Sequence, residues 1–369
     1  MMSELNVVEL YKSLHEMAEL SRVEFKTTAF LKDHMTRLGY KIGCGFGPND
    51  TGFIAEMEGD EPGPTMLLRA DIDALPFTVD GQKVAIHACG HDSHSAMVLA
   101  AASRVNRSIK RGKLKVLFQP AEETLAGALD VLEKGVTDDC DIGLSVHNRP
   151  IQDCADGKMA AAVNFSSCTV LCAEVTGRSC HASRPHLGIN CAEMLVAICQ
   201  NISLLKFDPT KTWSCKVTNI TVGNEVYNNV PNTGKAFFDV RAESNPLMAE
   251  IIEKVKNVIE STAAMYGGTG KLVYTREVVP APDYDPELVE EVAQCIKEVV
   301  GEENYQPVCY GGGEDFFFYK KHKPSMRVAY FGVGAGCAPG LHDQNMKLNP
   351  ESLQNGVEVM VKMINKHLG

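Results

Sequence analysis

Apolar residues recur at helical spacing over Glu4 to Leu20 and again over Val23 to Leu38, then give way to short strand-like runs at Gly52 to Met57 and Thr65 to Ala70. A helix near His94 to Ser108, a strand at Leu114 to Phe118, a helix over Ala126 to Lys134 and a strand at Ile142 to Val146 continue the alternation. The pattern predicts an α/β fold whose mostly parallel sheet is flanked by helices. In such sheets ligands collect at the carboxyl ends of the strands.

From about Ser166 the rhythm changes. Cys168 to Val175 reads as a strand, Asn190 to Leu205 as an apolar-faced helix, and Trp213 to Val222 and Gly234 to Ala242 as two strands. A helix over Pro246 to Tyr266 and a strand at Leu272 to Val278 complete a ferredoxin-like α+β order. Pro280-Ala281-Pro282-Asp283 reads as a linker. The first rhythm then returns with a helix at Pro286 to Val300, a strand at Arg327 to Gly332 and a helix at Pro350 to Leu368. The expected organisation is a discontinuous domain, 1–165 with 281–369, carrying an inserted domain at 166–280. No repeat at solenoid spacing is visible.

Length agrees, since 369 residues suggest about two domains. With 36 Lys and Arg against 47 Asp and Glu, the net charge is 36 − 47 = −11, and no basic cluster offers a grip on phosphate backbones. Nucleic acid is therefore not an expected partner. Met1-Met2-Ser3-Glu4-Leu5 lacks the basic start of a signal peptide, and runs such as Ala96 to Ala102 fall far short of the roughly 20 residues that span a bilayer. A cytoplasmic protein with no membrane partner is expected. Thirteen cysteines are too sparse for a disulfide scaffold, and Cys168, Cys172, Cys191, Cys199 and Cys295 fall in apolar patterns, as reduced core residues do.

The chemistry concentrates in four places. His87-Ala88-Cys89-Gly90-His91-Asp92-Ser93-His94 offers a thiol and imidazoles just before a helix, a good donor set for zinc-like metals. The plainer reading is a helix start with Asp92 as its cap. Gln119-Pro120-Ala121-Glu122-Glu123 follows a strand, where one carboxylate can bind metal while its neighbour moves protons, or where both simply favour a helix dipole. His147 stands at the end of the strand Ile142 to Val146 and His342 in a Gly-rich loop after the strand ending at Gly332, and either alone could be an ordinary packed or surface histidine. Taken jointly, the four strand ends supply donors for two metals and a free carboxylate, the parts of metal-assisted hydrolysis. Gly311-Gly312-Gly313 lacks the Lys and Ser/Thr of a phosphate loop, and no G-x-S-x-G elbow occurs.

Five motifs occur in order: Arg69 to Pro76 (RADIDALP), His87 to Asp92 (HACGHD), Gln119 to Glu123 (QPAEE), His181 to His186 (HASRPH) and Gly312 to Phe316 (GGEDF). On them the chain resembles the aminoacylase and carboxypeptidase family of metal-dependent hydrolases, in the branch of hippurate hydrolase and indole-acetyl-amino-acid hydrolases. The resemblance covers nearly the whole chain. It implies two divalent metals, zinc, manganese, cobalt or nickel, held by Cys89, His91, Glu123, His147 and His342, with Glu122 as general base and then acid. Asp71, Asp73, Asp92 and His94 are implied as supports of those ligands. The inserted domain is implied to pair protomers and act as a lid. His181 would then stabilise an oxyanion in a neighbouring site, and Asn228 and Arg241 would hold substrate.

Two departures stand out. Only ten residues, Phe77 to Ile86, separate Pro76 from His87, and Asn228 to Asn232 (NNVPN) replaces the commoner Asn-Val-Ile-Pro-Asp, leaving Asn228 and Asn229 both open as the functional residue. The resulting expectation is hydrolysis of an N-acyl amino acid or similar small conjugate by a homodimer. A dipeptidase or carboxypeptidase of the same family, and a catalytically silent metal or thiol sensor, are the alternatives.

Overall fold

The Asn6 side chain starts the first helix by accepting from the Val8 N–H at 2.9 Å, so α1 (Val7–His15) buries Val7, Leu10 and Leu14 on one face. The computed structural model describes residues 4–369; Met1 to Ser3, on which part of the leader reading rests, lie outside the described residues. Next come α2 (Phe25–Arg37), the short β1 (Lys41–Ile42), β2 (Phe53–Glu58), β3 (Glu61–Asp71) and a hairpin of β4 (Leu75–Val79) and β5 (Gln82–Ile86). The chain continues through α3 (His91–Val105), β6 (Arg111–Gln119), α4 (Gly127–Leu132), β7 (Ile142–Pro150) and β8 (Met159–Asn164). After an excursion over Phe165–Pro282 it returns with α7 (Pro286–Val300), β15 (Tyr305–Tyr310), α8 (Phe317–His322), β16 (Arg327–Cys337) and α9 (Leu353–Leu368). The excursion holds β9 (Ser167–Thr176), β10 (Cys180–His181), α5 (Cys191–Ser203), β11 (Trp213–Val222), β12 (Asn229–Val230), β13 (Thr233–Ala242), α6 (Asn245–Met265) and β14 (Thr269–Tyr274).

The chain separates into two compact units, one running to Asn164 and resuming at Asp283–Gly369, the other Phe165–Pro282. The larger is built on an eight-stranded sheet in the order β1-β2-β6-β3-β7-β16-β8-β15. Its centre, β6-β3-β7-β16, is parallel throughout, as is the β8–β15 pair; β1, β2 and the β16–β8 junction are antiparallel. Parallel register sets Asp71 beside Gln119 and Gly332 beside His147, so the carboxyl ends of the central strands finish together. Helix α3, rich in Ala and Ser, is buried along nearly its whole length and packs with α1, α9 and β3.

The smaller unit has a four-stranded antiparallel sheet, β11-β13-β9-β14, with α5 and α6 packed against its strands, and a separate ribbon of β10 and β12. Leu171, Leu195, Ile198, Phe238, Ile251 and Ile259 are in its core.

Several elements differ from the periodicity. The first helix stops at His15 rather than Leu20, and β14 lies earlier than Leu272 to Val278. The hairpin, β8, β15 and α8 carry no clear period in the sequence. The hairpin occupies the short Phe77 to Ile86 segment and turns at Asp80 and Gly81 with φ of 51° and 78°, a left-handed pair suited to Asp-Gly. All thirteen cysteines are free, and Cys168, Cys172, Cys191 and Cys295 are buried while Cys199 is half-buried. Among the described residues, no helix is long and apolar enough to cross a membrane.

Candidate metal centre

Gly90 enters α3 at φ 89°, where a Cβ would lie 2.4 Å from Asn148 Oδ1; only glycine allows the Cys89 loop to close against the end of β7. The helix is capped by Gly90, not by Asp92, so His91 and His94 stand in its first turn. Asp92 instead accepts from Ser93 N at 2.8 Å and pairs with His15 Nδ1 at 2.6 Å.

The donors converge. Cys89 Sγ lies 3.5 Å from His147 Nε2, and His91 Nε2 lies 3.8 Å from Glu122 Oε2 and 3.9 Å from Glu123 Oε1. His342 Nε2 lies 3.7 Å from Glu123 Oε2, and the His342 N–H donates to Ala88 O at 2.7 Å, docking its loop beside Cys89. Cys89, His91 and His147 form one group of possible ligand atoms within 4.8 Å of one another, and Cys89, Glu123 and His342 form a second.

The imidazoles are prepared as ligands. His91 Nδ1 faces Asp73 Oδ1 at 3.0 Å and Asp73 O at 3.1 Å, and His147 Nδ1 faces Asn148 O at 2.6 Å. These acceptors hold the proton on Nδ1 and leave each Nε2 lone pair for a metal. His91 Nε2 is buried and makes no hydrogen bond. A thiol, three imidazoles and two carboxylates with that orphaned nitrogen fit a pair of divalent cations. Burial pushes the Cys89 thiol up to about 12, a proton that metal binding would displace.

Asp73 is the pivotal support, because its Oδ2 also accepts from Glu123 N at 3.0 Å and Ser21 Oγ at 2.8 Å. Burial, the largest single influence, raises its carboxyl, but the hydrogen bond and charge of His91, the Ser21 hydroxyl and the Glu123 N–H together hold it below its ordinary range. His94 stacks on His91 at 5.6 Å and meets His147 edge-on at 4.2 Å. Asp71 lies 3.2 Å from His94 Nδ1 and bonds Arg69, with no direct contact to a donor of the cluster.

Arg69 carries a network that residue chemistry alone did not reveal. Fully buried, it reaches Asp71, Asp315 Oδ1 at 2.6 Å, Glu314 Oε1 at 2.9 Å and Gln119 Oε1 at 3.1 Å. Gln119 and Ala128 N bind Asp315 in turn, and Tyr330 donates to Glu314 at 2.6 Å. The signal was an Arg in one strand-end motif and an acidic pair in another, 246 positions apart. Oxygens of Glu122, Glu314 and Asp315 lie within 4.8 Å of one another. Burial, then these like charges, raise the Glu122 carboxyl well above its ordinary range; burial pushes Asp315 up to about 7 despite Arg69.

In the smaller unit, His181 pairs with Asn229 across the β10–β12 ribbon, and Asn228 O accepts from Ala182 N at 2.9 Å, so His181 and both asparagines stay together. His181 Nδ1 accepts the Ser183 N–H at 3.1 Å, leaving Nε2 as the donor nitrogen. Arg241 does not join them. It lies eight residues along β13 from Thr233, roughly 26 Å at strand rise, and its Nε donates to Asp239 at 3.0 Å.

Comparison with known proteins identifies the family. The sequence model of peptidase family M20/M25/M40 matches residues 67–366. An N-acetyl-L-cysteine deacetylase of Bacillus subtilis (strain 168) is 31% identical over 353 residues, covering 89% of this chain and 81% of that protein. Thermostable carboxypeptidase 2 of Saccharolobus solfataricus is 27% identical, covering 95% and 92%. A Bacillus subtilis structure described as a dinuclear metal binding peptidase from the M20 family superposes with a TM-score of 0.79 at 24% identity, covering 98% of this chain and 97% of that one. With a family match over most of its length, the chain belongs to peptidase family M20/M25/M40.

Proposed function

We propose that this protein hydrolyses the amide of an N-acyl amino acid or a similar small conjugate, using two divalent metals held by Cys89, His91, Glu123, His147 and His342. Family membership makes it a metal-dependent amide hydrolase. The observation that carries the finer reading is the convergence of Glu122 and Glu123 on His91 beside the Cys89 and His342 donors. When bound, such an ion pair supplies an acidified water and a Lewis acid for the amide carbonyl. Glu122 has the remaining work. Its carboxylate takes a proton from the attacking water and returns it to the leaving nitrogen, a role suited to a base raised by burial. Asp73 keeps His91 and the Glu123 backbone in place.

The smaller unit is proposed to pair protomers and to close over the site, with His181 Nε2 of one protomer steadying the oxyanion in another and Asn228 or Asn229 holding substrate. The exposed edge strand β11, with Val217 and Ile220 nearly half exposed, supports a second copy of this chain as partner. A reducing cytoplasm suits a thiol donor that oxidation would disable. The carboxypeptidase relative favours a second reading, cleavage of a peptide-like substrate by the same groups. The silent-sensor reading leaves Glu122 without work, since a binding-only site needs Glu123 alone.

The test is release of free amino acid from N-acetyl, N-benzoyl and indole-acetyl amino acids and from dipeptides, with chelated protein reloaded separately with zinc, manganese, cobalt or nickel. Metal-restored turnover of acyl substrates is expected, and Glu122→Gln should retain metal yet lose turnover. Turnover of dipeptides alone would favour the second reading; turnover surviving in Glu122→Gln would remove Glu122 from its role.

A further inference from the structure

The segment Glu19–Glu24, between α1 and α2, precedes the residues matched by the family and contributes no donor to the cluster. It nevertheless carries the turn that presents Glu122 and Glu123. Glu24 is fully buried, and its Oε1 accepts the Ala121 N–H at 3.0 Å across 97 positions of sequence. Ala121 has φ 58°, in the left-handed region that alanine disfavours. Its carbonyl is already committed to Thr124 Oγ1 at 3.0 Å and Gly127 N at 3.1 Å.

The same segment grips the other side of the carboxylate pair. Ser21 Oγ donates to Asp73 Oδ2 at 2.8 Å, the oxygen that also accepts Glu123 N, and Glu19 O accepts from Ala74 N at 2.8 Å. A buried carboxyl is costly unless its oxygens meet donors. The Ala121 N–H is such a donor: with the residue turned left-handed, it meets the Glu24 oxygen and would otherwise be buried unpaired.

We propose that Glu24 is a positioning residue that holds Ala121 in the left-handed conformation and thereby sets Glu122 and Glu123 toward His91. The proposal rests on the amidohydrolase reading for its kinetic consequence, and on geometry alone for its effect on metal binding.

A double-mutant cycle between Glu24→Ala and Ala121→Gly tests it, with kcat and KM on the acyl substrates and zinc affinity by chelator competition as readouts. Glu24→Ala should lower zinc affinity and kcat by about 10- to 100-fold, with KM changed far less. Glycine takes a positive φ unaided, so in the Ala121→Gly background the same change should cost at least about fivefold less. Glu24→Gln, which keeps an acceptor oxygen, should recover most of the loss. If the alanine variant does not fold, Glu24→Asp gives the same comparison, because it keeps the carboxyl but withdraws it by one methylene. Equal losses in both backgrounds, or a glutamine variant as impaired as the alanine one, would overturn the proposal. Absence of turnover in the unmodified protein would remove the amidohydrolase reading, and the zinc-affinity cycle would still decide this inference.

Discussion

At the scale of single residues, the centre depends on side chains that touch no reacting atom. Asp73 accepts from His91, Glu123 N and Ser21 at once, and an amide in its place must turn a donor toward one of these donors. Asp73→Asn is therefore expected to weaken zinc binding by about 10- to 100-fold; chelator competition checks it, and an unchanged affinity would show that His91 is oriented by its surroundings alone. The donors themselves were legible, because thiol, imidazole and carboxylate in short motifs announce their chemistry. Their partners were less so: Asp71 and Asp73 are two positions apart at one strand end, yet one faces Arg69 and the other His91. Strand alternation would put residues two apart on one face, but β3 ends at Asp71 and Asp73 lies beyond it, where the strand period no longer applies.

At the scale of elements, α7 was read from the sequence with its bounds intact, since Asp285, Pro286 and a sustained apolar stripe mark its start unambiguously. The Asp285 side chain accepts from Leu288 N at 2.8 Å and from Arg327 Nη2 at 3.1 Å. Burial pulls its carboxyl up, but Arg327 and the Leu288 N–H together hold it below its ordinary range. Asp285→Ala should cost about 1 kcal/mol at neutral pH. Because the folded pKa is depressed, that contribution is complete above the ordinary carboxylate pKa of about 4 and fades as pH falls through the folded value. Urea unfolding at pH 7 and near pH 3 checks it: the gap between the two proteins should narrow at the lower pH, and a constant gap would assign the effect to helix propensity. By contrast, β8 is alanine-rich, and β15, despite Tyr305, Val308 and Tyr310, is interrupted by Pro307, so neither reads as a strand from its local sequence. They become strands because β16 and β8 offer partners, a tertiary reason that no local window contains.

At the scale of the whole molecule, the return of the first α/β rhythm after Pro282 made the two-part organisation legible, while contacts such as Glu24 with Ala121 and Arg69 with Asp315 were not, being separated by 97 and 246 positions. Assembly is the remaining level. Strand β11 ends its sheet, its residues Lys216 to Thr221 are exposed, and a bulge separates Val217 from Asn219. An edge of that length with apolar side chains invites pairing with a second copy. If the protein pairs as proposed, it should scatter light as twice its 40.2 kDa chain mass, and a charge placed there, as in Ile220→Lys, should shift it to the single chain. If His181 serves a neighbouring protomer, turnover should fall with dimer content while zinc affinity stays unchanged, because every metal donor lies in the larger unit. A monomeric variant with full turnover would confine catalysis to one chain and remove His181 from its role across the dimer. Loss of zinc together with assembly would instead show that Ile220 acts through folding.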